Sequence, residues 1–231
     1  MKIVFATGNP HKLQELKQIA GDCGIDFILP PEGFNPVENG KTFEENSYIK
    51  ALEAAKLSGM TALADDSGLC VEALGGAPGI YSARYAETQQ KRIDKLLEEL
   101  RKKSPLPPFT KGGDNDSFTY ERNADGGSAS LVREVAERSS DGGFSKNNRK
   151  AKFVCAMTLV SPEGEIIFQT TGECYGYITE KQAGTNGFGY DPIFCPDGYD
   201  VTIAQLSDEE KNAISHRGNA LRKVLKFLKN S

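Results

Sequence analysis

Apolar positions fall in two rhythms along the chain, and their alternation predicts the architecture. Residues 2–6, KIVFA, form a short uninterrupted apolar run, the pattern of a buried strand. The turn TGNPHK follows, and then Leu13, Leu16, Ile19 and Ala20 recur at helical spacing and predict an amphipathic helix. Residues 26–29 predict a second short strand, and PPEGFNPVENG, with its Pro, Gly and Asn, a long loop. In TFEENSYIKALEAAKLSG, Thr42 with Glu45 three residues on is a capping-box pattern that opens a second helix. ALADD predicts a third strand that ends at Asp65 and Asp66, with Ser67 and Gly68 in a tight turn. A β-α-β-α-β opening of this kind points to an α/β architecture.

A glycine-rich connection, GGAPGIYSARY, leads into a charged helix from about Glu87 to Lys102. After a long interruption, AKFVCAMTLV predicts a strand of ten residues. SPEGE reads as a hairpin turn and IIFQTTGECYG as the returning strand, so an antiparallel hairpin sits beside the α/β core. GTNGFGYDPIF is glycine-rich, and DEEKNAISHRGNALRKVLKFL closes the chain with helices. The interruption, residues 104–148, breaks both rhythms. It opens with SPLPPF, holds three Gly-Gly pairs, and has the composition of a segment unable to bury a core. It is read as a flexible Gly/Ser/Asn-rich insertion in a single domain spanning 1–231. Its deletion is expected to spare folding and activity.

Composition narrows the classes. At 231 residues, with 38% hydrophobic and 26% charged residues, the chain is an ordinary globular one. A net charge of -4 gives no global field for nucleic acid, so any phosphate site has to be local. Five scattered cysteines without a C-x-x-C pair read as reduced core residues, neither a zinc knuckle nor a disulfide framework. No apolar run approaches a membrane span, and no signal peptide is evident, so the cytoplasm is the expected compartment.

The acidic pair Asp65 and Asp66 interrupts an apolar run, and burying two like charges is costly unless something positive offsets them. In open α/β sheets the ligand crevice lies at the carboxyl ends of strands, where both the TGNPHK turn and this pair are expected. A helix N-terminus favours phosphate, and Lys12 adds a full charge there; the plain alternative is a strand-to-helix turn capped by Thr7 or Asn9. Carboxylates beside a phosphate site normally share magnesium, and Glu38 and Glu45 are further acids in reach of that region. Glu45 has the capping box as its structural explanation. In GFGYDPIF, Phe188 is placed to stack on a purine and Asp191 to read its edge, against the alternative of a glycine-bounded strand with core aromatics. Ser215 is a plausible N-cap, which puts His216 and Arg217 at the start of the last helix. Basic residues there oppose the helix dipole, so they are expected to face an anion or a base.

Taken together, T-G-N-x-x-K, T-F-x-E-N, A-D-D-S-G-L, G-G-A-P-G-I-Y-S-A-R-Y, G-F-G-Y-D-P-I-F and I-S-H-R resemble the inosine/xanthosine triphosphate pyrophosphatases, a family acting on noncanonical purine nucleotides. The resemblance runs from Lys2 to about Lys102 and from Lys150 to the C-terminus. It implies an elongated, two-lobed mixed α/β fold of the ITPase-like kind, related to Maf-like and anticodon-binding-like folds, with a cleft between the lobes. It implies hydrolysis of dITP, ITP or XTP to the monophosphate and pyrophosphate, Mg²⁺ dependence and a homodimer, with no nucleic-acid or membrane partner. By motif, Thr7, Gly8, Asn9, Pro10, His11 and Lys12 would hold phosphates, Asp66 would be the general base and a metal ligand, and Glu38 the second ligand. Ser67 would touch substrate. Phe188, Gly189, Tyr190 and Asp191 would frame the base, Lys211 would bind the nucleotide, and His216 and Arg217 would complete base recognition. Mg²⁺ and Lys12 together are the cations expected to offset Asp66. A related enzyme for modified pyrimidine nucleotides, or a nucleotide sensor without turnover, is the competing reading.

Overall fold

The computed structural model describes residues 1–103 and 149–230, so the expected insertion at 104–148 lies outside the described residues. In chain order the elements are β1 (Lys2–Phe5), α1 (Pro10–Ala20), β2 (Asp26–Ile28), α2 (Phe43–Ser58), β3 (Ala62–Val71), α3 (Gln89–Lys103), β4 (Lys150–Val160), β5 (Ile166–Ile178), β6 (Phe194–Pro196), α4 (Asp208–Ile214) and α5 (His216–Asn230). Short 3-10 turns occur at Gly79–Arg84 and Asp191–Ile193, among others. The strands form one six-stranded sheet in the order β2-β1-β3-β4-β5-β6. β1 is parallel to β2 and β3, and the remaining neighbours are antiparallel. The mixed α/β sheet is thus the one expected.

Each face of the sheet has its own cover. Ile3, Phe5, Leu63, Met157 and Leu159 on one face pack against Leu16 of α1 and Leu221 and Val224 of α5. Further along the same face, Leu69, Val71 and Phe153 meet Ile93, Leu96 and Leu100 of α3. On the opposite face, Ala62, Ala64 and Val160 pack against Ala51, Ala54 and Ala55 of α2. Alanines let this helix lie close to the sheet. Thr42 Oγ1 accepts from the Glu45 backbone N–H at 3.1 Å, as a cap should. The Glu45 carboxylate, however, accepts from the Lys41 N–H at 2.6 Å, so only half of the expected box forms. Ser215 caps α5 as expected, its Oγ accepting from the Gly218 N–H at 3.0 Å.

Two features place the site. β1 pairs with β3 only at Val4 with Ala62 and Phe5 with Leu63, while β4 accompanies β3 along its whole length. Beyond Leu63 the β1-side edge of β3 therefore runs on without a partner strand among the described residues, until Leu69 and Val71 donate to Ser82 Oγ and the Ala77 carbonyl. Moreover, β3 does not end at Asp66. It continues to Val71, with Ser67 opposite Cys155 and Gly68 opposite Val154. The glycine is needed for close approach rather than for a turn: a Cβ at Gly68 would overlap the Gly79 carbonyl and Ser82 Oγ.

Gly172 of β5 makes a similar contact under the first turn of α5, where a Cβ would overlap the His216 carbonyl and the Ala220 N–H. Gly172→Ala is expected to cost about 1–3 kcal/mol, through the backbone shift that overpacking forces. The measurement is the urea midpoint at unchanged m value. An unaltered midpoint would show that α5 moves aside without cost.

Candidate active site

Side chains alternate across a strand, so the adjacent acids of β3 point to opposite faces. Asp65 faces α1 and α5, and Asp66 faces α2. Both are buried, at 1% and 8% exposure, and each has its own cation. This resolves the cost of two neighbouring buried carboxylates, though not with the expected pairing. Lys12 Nζ donates to Asp65 Oδ1 and Oδ2 at 3.1 and 3.0 Å. The ammonium beside Asp66 is that of Lys50, at 2.9 Å.

On the Asp65 face the charges form a ladder. Arg217, buried to 1% exposure, donates from Nε and Nη2 to Asp65 Oδ2 at 3.2 and 3.0 Å and from Nη2 to Ser67 Oγ at 3.1 Å. Its Nη1 pairs with Glu15 Oε2. Lys211 continues the ladder, 3.6 Å from Glu15 Oε1 and 3.0 Å from Asp191 Oδ2. Asp191 in turn accepts from the Phe188 backbone N–H at 2.9 Å. The Phe188 ring lies over two of these cations, 4.7 Å from Lys211 Nζ and 5.7 Å from Arg217 Cζ, in cation–π range. Burial alone would raise the Asp65 pKa, but Lys12, Arg217 and Lys50 outweigh it and hold the carboxyl well below the usual range. At Asp191 burial wins over Lys211 and the Phe188 N–H, and the pKa is raised. His216 stacks on Phe153, with ring centroids 4.8 Å apart and planes at 13°. Burial, then Arg217 and Lys211, push its pKa well below the ordinary value, so the imidazole is neutral at pH 7. Its buried Nδ1 has no hydrogen-bond partner among the described residues.

The Asp66 face is smaller. Lys50 Nζ lies 2.9 Å from Asp66 Oδ1 and 3.1 Å from Glu38 Oε2, so both carboxylates converge on one point. Asn46 Nδ2 donates to Asp66 Oδ2 at 3.3 Å. The Gly40 N–H donates to Asn46 Oδ1 at 2.8 Å, which fixes the amide with its NH₂ towards the carboxylate and ties the Glu38 loop to α2. Burial raises the Asp66 pKa; Lys50 offsets part of this, and Glu38 and Asp65 add to it. Burial opposes the Lys50 charge, but Asp66, Asp65 and Glu38 together raise its pKa.

The structure therefore brings together most of the residues singled out by motif. Thr7, Gly8 and Asn9 form the turn between β1 and α1, where Thr7 Oγ1 accepts from the Asn9 N–H at 3.1 Å. Pro10, His11 and Lys12 make the first turn of α1, from which Lys12 reaches Asp65. Phe188, Asp191, Lys211, His216 and Arg217 gather at the other side of Asp65. Tyr190 departs from the group: it is buried and its hydroxyl donates to the Ser82 carbonyl at 3.1 Å. Gly189, at φ +67°, donates its N–H to Gln89 Oε1 at 3.0 Å. Two residues at the centre, Glu15 and Lys50, lie outside the motifs, and Asn46, the last residue of T-F-x-E-N, was given no role by them. The buried face of α2 runs Asn46, Ser47, Lys50, Ala51, Ala54, Ala55, and its polar first half is the signal that marks it.

Among known proteins, the profile of the Ham1 family matches residues 3–106 and 119–227. The chain belongs to the Ham1 family. A protein named dITP/XTP pyrophosphatase from Prochlorococcus marinus (strain NATL1A) is 40% identical over 227 residues, covering 98% of this chain and 93% of its own length. One of the same name from Shigella flexneri is 40% identical, covering 99% and 98%. The structure of a HAM1 protein from Coxiella burnetii superposes with a TM-score of 0.75 at 35% identity and covers 100% of both chains. The Staphylococcus aureus Ham1 protein gives 0.72 at 35% identity, covering 100% and 99%. These matches bear out the family resemblance read from the motifs.

Two outcomes follow from the electrostatics. Asp65→Asn leaves Lys12 and Arg217 without their shared charge and is expected to cost about 3–5 kcal/mol of stability at pH 7. Because the folded pKa of Asp65 is depressed, its contribution is fully present above about pH 4 and fades only below that. Denaturant melts of both proteins from pH 7 to pH 3 test this, and a gap that closes already at pH 5 refutes it. His216 has the opposite linkage. Its folded pKa lies below the unfolded one, so the unfolded chain alone takes up a proton as the pH falls below about 6.5. Stability then falls by up to about 1.4 kcal/mol per pH unit from this group. His216→Gln should flatten the profile between pH 6 and 5; an unchanged slope would assign the loss to other groups.

Proposed function

We propose that the chain hydrolyses noncanonical purine nucleoside triphosphates, dITP, ITP and XTP, to the monophosphate and pyrophosphate. The observation that carries this reading is the pair of oppositely facing acids on a strand whose β1-side edge has no partner strand among the described residues. One anchors a ladder of cations suited to phosphates and a base, and the other belongs to a carboxylate pair suited to a metal and a water. Relatives named dITP/XTP pyrophosphatase at 40% identity over 98% of the chain support the substrate class.

In this reading the residues act as follows. The N–H groups at the start of α1, in the turn Thr7 to Lys12, receive the phosphates with the helix dipole and the Lys12 ammonium. Ser67 and Lys211 contact the nucleotide. Phe188 stacks on the purine, with Gly189 and Asp191 shaping the pocket behind it and Tyr190 anchoring the segment to the Ser82 carbonyl. Arg217 is held rigid by Asp65, Ser67 and Glu15, and with neutral His216 it meets the base edge. The 6-keto group of hypoxanthine or xanthine accepts hydrogen bonds there. Adenine presents an amino donor and leaves those donors unpaired, a mismatch that a matched site rejects by about 10⁴.

Mg²⁺ is the proposed cofactor, and the residues present fit it. Glu38 Oε2 and Asp66 Oδ1 both lie within hydrogen-bond distance of a single cationic atom, at 3.1 and 2.9 Å, so they converge on one volume. Among the described residues no cluster of three or more His, Cys, Asp or Glu forms a closed metal cage. Two oxygen ligands completed by phosphates and water suit magnesium. When bound, the ion supplies Lewis-acid polarisation and charge neutralisation at the phosphates. Asp66, its basicity raised by burial, takes the proton from the water that attacks the anhydride between the α- and β-phosphates. The Asn46 amide holds its carboxylate in place. The two lobes implied by the resemblance are read as the α1–α5 and α3 ends of one sheet face, with the nucleotide lying between them along β3. The homodimer rests on the resemblance, and the cytoplasmic setting on the expectation drawn from the sequence; no helix among the described residues is long and apolar enough to cross a membrane.

The test is pyrophosphate release with Mg²⁺ from dITP, ITP, XTP, dATP, dGTP, dUTP and dTTP. The first three should be favoured in kcat/KM by at least about 10²-fold. Asp66→Asn should lower kcat by about 10²–10⁴-fold, the range for a lost general base. Equal turnover across the panel would sink the substrate assignment, and full activity of the variant would remove Asp66 from its role.

A further inference from the structure

We infer that Lys50 is the resident counter-ion of the Glu38 and Asp66 pair, so that a divalent ion binds tightly only with a polyphosphate that draws the Lys50 ammonium away. This rests on the reading of those two carboxylates as ion ligands and concerns how the ion gains access to them.

Both oxygens of Asp66 are engaged: Oδ1 accepts from Lys50 at 2.9 Å and Oδ2 from Asn46 at 3.3 Å. The same Lys50 nitrogen reaches Glu38 Oε2 at 3.1 Å. One ammonium thus stands where the two carboxylates converge, in the position a shared cation would compete for. Lys50 and Asp66 are buried, at 7% and 8% exposure, whereas the Glu38 side chain is 34% exposed. An incoming ion approaches past Glu38 and meets Lys50 before it gains Asp66. A dication a few ångströms from a buried ammonium is repelled, and the repulsion is screened little in such a place.

Lys50 has somewhere else to go only when an anion is present. Its four-carbon stem rises from α2, on the same buried face as Asn46, and its three donors rotate freely on that stem. A bound polyphosphate offers strong acceptors, so the ammonium shifts to phosphate and leaves its place between the carboxylates to the ion. The Asn46 amide stays on Asp66, held by Gly40, and keeps the carboxylate oriented while the cations exchange. Lys50 is in this sense a positioning residue: it makes ion loading conditional on nucleotide.

The experiment measures Mn²⁺ and Mg²⁺ affinity by calorimetry without nucleotide, for the native protein, Lys50→Met and Lys50→Arg. The native protein should remain far from saturated at about 1 mM ion. Lys50→Met, which keeps the length and loses the charge, should bind the ion at least about tenfold more tightly, a shift of about 1.4 kcal/mol. Lys50→Arg, which keeps the charge, should stay as weak as the native protein. Saturation of the native protein at micromolar ion, or equal affinity of native and Met variants, would overturn the inference. Should the Met variant fail to fold without ion, rescue of its thermal transition by Mg²⁺ alone, with no such shift in the native protein, is the equivalent expected result. Failure of that rescue overturns it too. These readouts need no turnover, so they are separable from the substrate assay: inactivity on the whole nucleotide panel would undo the proposed function, while unchanged ion affinity would undo only the role of Lys50.

Discussion

Alternation along a strand lets this chain bury two adjacent carboxylates a single residue apart. On a helix or in a turn, Asp65 and Asp66 would share one environment, and their repulsion would fall on whatever cation lay near. On β3 they face opposite layers, each with its own lysine: Lys12 from α1 for one, Lys50 from α2 for the other. A single strand thereby delivers two acids with opposite tuning. Asp65 is held ionised by Lys12 and Arg217, whereas burial raises the pKa of Asp66 in spite of Lys50. The first is fit to be a fixed anchor and the second to accept a proton.

That arrangement needs access to both faces at once, and the sheet supplies it by being incomplete. β1 stops after pairing with Leu63, so among the described residues no strand lines that edge of β3 at residues 65–67, and Lys12 from the first turn of α1 reaches Asp65 there. Side chains of both faces can meet a ligand lying along such an edge. Gly68 and the small residues of α2 serve the same end, since they let the Gly79–Arg84 turn and α2 pack close to the sheet on either side of the acids. The core here does more than exclude water: its close contacts set where the charged groups stand.

The layout of strands and helices was legible because periodicity reports burial, and β1, α1, α2, β4 and the last helix carry it plainly. The end of β3 was not, because two charges and a Ser-Gly pair look like a turn to any reading based on composition. Only the partners Lys12, Arg217 and Lys50, distant in sequence, make those charges tolerable inside a strand, and no local pattern names them. The same holds for the cation assigned to Asp66. Lys12 was the visible lysine because it sits in a glycine-bearing turn, while Lys50 looks like any helical lysine until its neighbours Asn46 and Ser47 are seen to share the buried face. Glu15 was hidden likewise, in a helix whose apolar stripe drew attention to Leu16. Motif resemblance reached most of the site, but it identifies residues without saying which charge faces which.

The charge balance of the site bears on what it selects. On the Asp65 face, Lys12, Arg217 and Lys211 are matched by Asp65, Glu15 and Asp191, and on the Asp66 face Lys50 stands against two carboxylates. Such a site offers little net field for a bare polyanion, in keeping with a chain whose net charge is -4. Its cations are already engaged, so a ligand wins them only by offering better geometry than the carboxylates they leave. On the proposed reading, a triphosphate would meet that requirement at Lys12 and a keto-purine beside Arg217 and His216, but neither would do so alone. Recognition by exchange of partners, rather than by attraction to an open positive pocket, penalises a ligand that satisfies one half of the site and strands the other. Discrimination among nucleotides that share the same three phosphates then follows from the base half, where an unmatched hydrogen bond leaves a buried donor without a partner.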